Sequence, residues 1–177
     1  GSVLEFYENG QKMSEGKFKD GKEIGKFQSW HDDGSKKSEK IYKEGAPVGK
    51  YLEWHKNKTK KAEGDYLNGK EINIWSTWYD NNQKESEVTY ADGKKEGAYT
   101  EWFSNGKKKK ETTYKAGKES ESFFEWFENG IKKTEGQYKD GIKAGKWITN
   151  YVSGKSESET ARRLGKYQPR RIRKHSD

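Results

Sequence analysis

Aromatic side chains recur along this chain at a fixed interval of 24 residues, set in stretches that are otherwise polar and charged. A first aromatic returns as Phe27, Tyr51, Trp75, Tyr99, Phe123 and Trp147. Three residues later a tryptophan returns as Trp30, Trp54, Trp78, Trp102 and Trp126, with Asn150 in the last slot. Between the aromatic groups stand a repeated glutamate (Glu15, Glu39, Glu63, Glu87, Glu111, Glu135 and Glu159) and a repeated glycine (Gly21, Gly45, Gly69, Gly93, Gly117 and Gly141). A fixed period of this length marks a repeat architecture, in which each unit buries its apolar face against its neighbours.

Each unit holds two turn signals and two short runs between them. Asn9-Gly10, Asp33-Gly34, Asn105-Gly106 and Asn129-Gly130 are the dipeptides best suited to a two-residue hairpin turn with positive φ at both central positions. The second turn ends in glycine, as at Asp20-Gly21, Glu44-Gly45, Asn68-Gly69 and Asp92-Gly93. At Asn57-Lys58 and Asn81-Asn82 the glycine of the first turn is missing, and a left-handed Lys58 would cost about 1 kcal/mol. A glycine turn every ten to fourteen residues leaves no room for helix. The predicted fold is all-β: an elongated single-layer antiparallel meander of tandem 24-residue β-hairpin repeats, with about six full units and partial ends. Each unit would advance the sheet by about 10 Å, and six of them by about 60 Å.

Alternation along a strand adds a second expectation. Tyr99 and Phe103 face one way and Trp102 the other, so the sheet carries aromatics on both faces and the tryptophans form a row of their own. That row (Trp30, Trp54, Trp78, Trp102 and Trp126) is the candidate partner-binding surface. The competing reading makes every aromatic part of the core, or covers the row with flanking lysines through cation–π contacts and leaves it no binding role.

Composition alone would misclassify the chain. Only 23 of its 177 residues are Leu, Ile, Val or Phe and 37% are charged, which by composition reads as disorder. Aromatics at 14%, all in register, overrule that reading, because each such ring can bury about 150–250 Å². The formal net charge of +8 sits mostly at one end. Residues 1–161 contain no arginine, and five arginines then appear between Arg162 and Arg173. The expected division is a repeat array over 3–159 and a basic tail over 160–177, disordered or foreign to the repeats. The near-neutral body has no nucleic-acid stripe. No cysteine is present, which excludes disulfide and thiolate chemistry, and no apolar run approaches the length of a membrane helix. Gly1-Ser2 reads as a cleavage remnant, so a native leader could have preceded it and both a secreted or envelope and a cytoplasmic location stay open.

The unit G-x-[YWF]-x-x-W-[YFH]-x-N-G-x-K-x-x-E-x-x-Y-x-x-G-K resembles the bacterial variant of the MORN repeat over about residues 3–155. Asn73 and Glu121 depart from it at the leading glycine, and His31 and His55 at the Tyr/Phe slot. The resemblance implies a β-hairpin sheet, an interaction or scaffolding role, and for bacterial members an antitoxin- or immunity-like or surface setting. It supplies no catalytic residue.

The residues offer little chemistry of their own. His31 and His55 replace packing aromatics and would lie about 10 Å apart, too far to share a metal. No nucleophile elbow, P-loop or His-x-x-x-His pair occurs. The repeated glutamates are expected to pair with lysines across strands. The chain is therefore read as a non-enzymatic macromolecule-binding module with no cofactor and no metal. Its expected partner is another protein, with a glycan, a phospholipid or an anionic membrane as alternatives and nucleic acid disfavoured for the body. An enzyme using the glutamate row is the remote rival.

Overall fold

The computed structural model describes residues 1–163 and 166–167, and among them there is strand and turn but no helix. The chain divides into two compact units, residues 1–94 and 95–177. The first holds β1 (Ser2–Phe6), β2 (Lys12–Lys19), β3 (Lys22–Trp30), β4 (Lys36–Lys43), β5 (Ala46–Trp54), β6 (Lys60–Leu67), β7 (Lys70–Trp78) and β8 (Lys84–Ala91). Each of these strands pairs antiparallel with the next, giving one meander. The second unit repeats the scheme with β9 (Lys94–Trp102), β10 (Lys108–Lys115), β11 (Lys118–Trp126), β12 (Lys132–Lys139), β13 (Ile142–Asn150), β14 (Ser156–Arg163) and β15 (Lys166–Tyr167). This is the single-layer hairpin meander that the 24-residue period predicts. Strand β14 carries the pairing through Thr160, Ala161 and Arg162; the rest of the expected basic tail, 164–165 and 168–177, lies outside the described residues.

The two turn types are exchanged relative to the sequence expectation. The two-residue turns with positive φ at both positions are the second set, as at Asp20 (φ 50) and Gly21 (φ 75), or Ala116 (φ 49) and Gly117 (φ 83). At the Asn-Gly turns the closing pair is wider. Tyr7 N donates to Gln11 O at 2.8 Å and Gly10 N to Tyr7 O at 2.9 Å, a three-residue loop in which Gly10 alone is left-handed. The asparagine causes the difference: Asn9 Oδ1 accepts from Gln11 N at 3.0 Å, which holds Asn9 in an Asx turn outside the left-handed region. Lys58 (φ 67) and Asn82 (φ 67) stand where the other turns have glycine and make the same bonds, so these two turns do not bend the array differently.

A bulge recurs in the hairpins β2–β3, β4–β5, β6–β7, β10–β11 and β12–β13 and decides where the aromatics go. Between β2 and β3 the register steps from Glu15↔Gln28 to Lys17↔Ile24, so Gly16 faces the three residues 25–27. The leading glycine of each unit takes the left-handed position of this bulge, as at Gly25 (φ 68), and Asn73 (φ 59) and Glu121 (φ 62) are held in the same conformation. A side chain in that region costs about 1–2 kcal/mol, partly offset by the extra unfolded-state entropy of glycine. Glu121→Gly should therefore stabilise the protein by about 0.5 kcal/mol, measured as a higher denaturant midpoint at unchanged slope.

The bulge folds the first aromatic of each unit back onto the neighbouring strand. A Cβ placed on Gly16, Gly64 or Gly136 would lie 2.1, 2.1 or 2.3 Å from the ring of Phe27, Trp75 or Trp147. These rings join the tyrosines of the intervening strands in a ladder on one face of the sheet. Phe18–Phe27, Phe27–Tyr42, Tyr66–Trp75 and Trp75–Tyr90 lie 5.4, 5.0, 4.9 and 6.3 Å apart in the first unit. Tyr99–Tyr114, Phe123–Tyr138 and Tyr138–Trp147 lie 5.7, 5.6 and 5.1 Å apart in the second. Edge-to-face pairs at these distances add about 0.5–1.5 kcal/mol each beyond burial. Where the bulge-facing residue is Lys40, its ammonium lies 5.8, 5.1 and 5.0 Å from the rings of Tyr42, Tyr51 and Tyr66 and bridges the ladder. This ladder is the core, and Trp147 (5% exposed) and Phe123 (9%) are its best-covered rings.

Candidate binding face

The opposite face carries the second periodic set. Phe27 and Gln28 are consecutive in β3, so their side chains leave opposite sides of the sheet. Gln28 pairs with Glu39 and donates to its Oε2 at 3.2 Å, which places the glutamate row on the side away from the ladder. Lys36 Nζ is 2.5 Å from Glu39 Oε2 and 5.4 Å from the ring centre of Trp54, so the tryptophans share that side. The arrangement repeats: Lys12 Nζ is 2.9 Å from Glu15 and 4.9 Å from the Trp30 ring. Lys60 pairs with Glu63 and lies 5.2 Å from Trp78, which Lys84, paired with Glu87, approaches at 5.9 Å. In the second unit Lys108 pairs with Glu111, and Lys132 is 2.6 Å from Glu135. Lys132 also lies 4.9 Å from the Phe124 ring, which itself lies 5.9 Å from Trp126.

Trp30, Trp54, Trp78, Trp102 and Trp126 are all half-buried. Of the alternatives read from the sequence, the lysine cover is present at Trp30, Trp54 and Trp78: a lysine ammonium lies 4.9, 5.4 and 5.2 Å from the ring centre and is held by the glutamate three residues after that lysine. The glutamates pair mainly with the lysine three positions earlier in the same strand. Glu39 and Glu63 add a cross-strand partner in Lys26 and Lys50, at 2.7 and 3.6 Å, and Glu159, with Ser156 three positions earlier, pairs across the strands with Lys146 at 2.9 Å. Hydrogen bonds from Lys26 and Lys36 hold the Glu39 carboxyl down at about 2, against an ordinary 4.5. A carboxyl depressed by folding stabilises the fold above its unfolded pKa and loses that contribution as pH falls through its folded value. Glu39→Gln should thus cost about 1 kcal/mol at neutral pH, and the gap to the parent should close between about pH 5 and pH 2, read from urea unfolding across that range.

His31 and His55 do more than fill an aromatic slot, which corrects the sequence reading. His31 Nε2 donates to Trp54 O at 3.0 Å and His55 Nε2 to Trp78 O at 2.7 Å, as the Tyr7 hydroxyl does to Trp30 O at 2.8 Å. Asn9 and Asn57 add a parallel row, donating Nδ2 to Asp32 O and Asp80 O at 2.8 and 2.7 Å. These bonds reach one repeat ahead and clamp the backbone beneath the tryptophans. The sequence signal was that this slot accepts Tyr or His as readily as Phe. In the second unit a shallow depression of about 350 Å³ opens on the tryptophan side between Phe124, Glu135, Gly136, Lys146 and Ile148. Among the described residues no group of three or more His, Asp or Glu is placed to hold a metal ion.

Consecutive antiparallel hairpins of fixed length, joined by the same two turns and stacked ring on ring, define a tandem β-hairpin repeat protein. Segments 1–20, 73–92 and 95–116 match the family model of the MORN repeat variant, and in those segments the chain is similar to that family. Repeats of this kind serve as non-catalytic modules that bind proteins or membranes. No curated protein matches the chain.

Proposed function

We propose that this chain is a non-enzymatic protein-binding module whose working surface is the tryptophan face. One observation carries the reading: the tryptophans project from the side opposite the ladder that forms the core, and each stays half-exposed. On this reading the ladder face maintains the fold and the tryptophan face binds. Tryptophan is enriched among the side chains that dominate protein interfaces, and a row repeated once per hairpin engages a partner over several units. Immunity-like binding of a toxin or service as a surface scaffold are both uses that such a face supports.

The experiment is retention of a partner from an extract of the native source by the immobilised protein, alongside the variant Trp54→Ala/Trp78→Ala. The reading predicts that the partner is lost from the variant while its unfolding transition persists. Equal retention by both proteins overturns it.

A further inference from the structure

The spacing of the tryptophans names a class of partner for this face. They recur once per hairpin, that is once per two strands, so neighbours stand about 9.4–9.8 Å apart across the sheet. A chain lying across the strands must present equivalent side chains at that interval and on one side. An extended β-strand repeats a face every two residues, about 6.7 Å, and does not match. An α-helix repeats every turn, and two turns span about 10.8 Å, which drifts by more than 1 Å at each tryptophan. A polyproline II helix repeats every three residues at about 9.3 Å, with every third side chain on the same side.

Hydrogen bonding points the same way. The backbone of a polyproline II segment makes no internal hydrogen bonds, so its carbonyls need outside donors. Among the described residues, the indole N–H groups of Trp30, Trp54 and Trp78 have no protein acceptor, whereas the core indole of Trp75 donates to Asp65 O at 3.3 Å. Three donors are therefore open to a ligand. The charges of the row are balanced pairwise by Lys12–Glu15, Lys36–Glu39 and Lys60–Glu63, which suits an uncharged proline-rich segment rather than a polyanion. Aromatic grooves recognise such segments because their conformation is already ordered before binding.

We infer that Trp30, Trp54 and Trp78 take a segment of the form P-x-x-P-x-x-P in the polyproline II conformation, laid across strands β3 to β7 with one proline to each indole. The inference rests on the proposed protein-binding role of this face. It is tested with two synthetic peptides of one composition, one with proline at every third position and one with proline at every fourth. Each is titrated into the isotope-labelled full chain while the indole N–H resonances are followed. The in-register peptide should move the signals of Trp30, Trp54 and Trp78 but not that of Trp75, and should bind at least about tenfold more tightly than the other. Trp54→Ala should weaken it by about tenfold or more.

Equal affinity for the two peptides, shifts confined to Trp75 or Trp147, or no binding by either peptide overturns the inference. If no peptide binds while Trp54→Ala/Trp78→Ala still loses the native partner, the polyproline assignment alone falls. If that variant keeps the native partner, the broader reading falls with it.

Discussion

Trp147→Ala should cost about 3–5 kcal/mol, whereas Trp126→Ala on the other face should cost about 1 kcal/mol. The Trp147 ring is only 5% exposed. It lies 5.4 Å from Phe123 and 5.1 Å from Tyr138, covers the backbone of Gly136, and has the Lys143 ammonium 4.2 Å from its centre. Removing it opens a gap that a single-layer sheet has no second layer to fill. Trp126 is half-exposed and meets mainly Phe124. Stability is only about 5–15 kcal/mol for a typical domain, so loss of Trp147 should bring unfolding close to ambient conditions. Denaturant titration of the two variants measures the contrast, and equal midpoints would contradict the assignment of the ladder as core.

Gly136→Thr should be nearly as damaging, and its rescue is the sharper result. An added Cβ would stand 2.3 Å from Trp147 Cδ2, and the indole is too rigid to yield, so a cost of about 2–4 kcal/mol follows from overpacking. One repeat earlier the same two positions are Thr112 and Phe123, and that pair is accommodated with Thr112 only 3% exposed. Gly136→Thr/Trp147→Phe should therefore recover most of the lost stability. The exchange removes the Trp147 indole N–H, buried without a hydrogen-bond partner among the described residues, and brings in a threonine hydroxyl whose counterpart on Thr112 is buried in the same way, so the recovery rests on packing rather than on hydrogen bonding. Additive losses in the double variant would show that the bulge does not set ring size against backbone space.

The pairing of small residue with large ring is also where sequence reading stopped short. The 24-residue period, the hairpins and the placing of Trp30, Trp54, Trp78, Trp102 and Trp126 on the face opposite the first aromatic of each unit were all legible, because turn glycines and alternation fix them locally. The bulge was not. The local sequence around Gly16, Gly64 and Gly136 carries no signal of their role, which appears only when the register shift lays Phe27, Trp75 and Trp147 over them. The exchange of turn types has a similar origin. Asn-Gly suits a two-residue turn by backbone preference, but here the asparagine side chain is spent on capping the loop and on reaching the next repeat. The candidate row was legible as a row, while its lysine cover depended on which of many lysines pairs with which glutamate. The tyrosine and histidine bonds to the tryptophan carbonyls were hidden because a Phe in the same slot disguised a polar function as packing.

The central claim is that one face of the sheet holds the fold and the other is free to bind. It is tested most directly by the thermal transition of Trp54→Ala/Trp78→Ala beside that of the parent. Trp54→Ala removes a half-exposed ring and one cation–π contact and Trp78→Ala a half-exposed ring and two, about 1 kcal/mol for each residue. The account predicts a cooperative transition lowered by no more than about 8 °C. Disappearance of the transition would contradict it, because the tryptophan row would then be core.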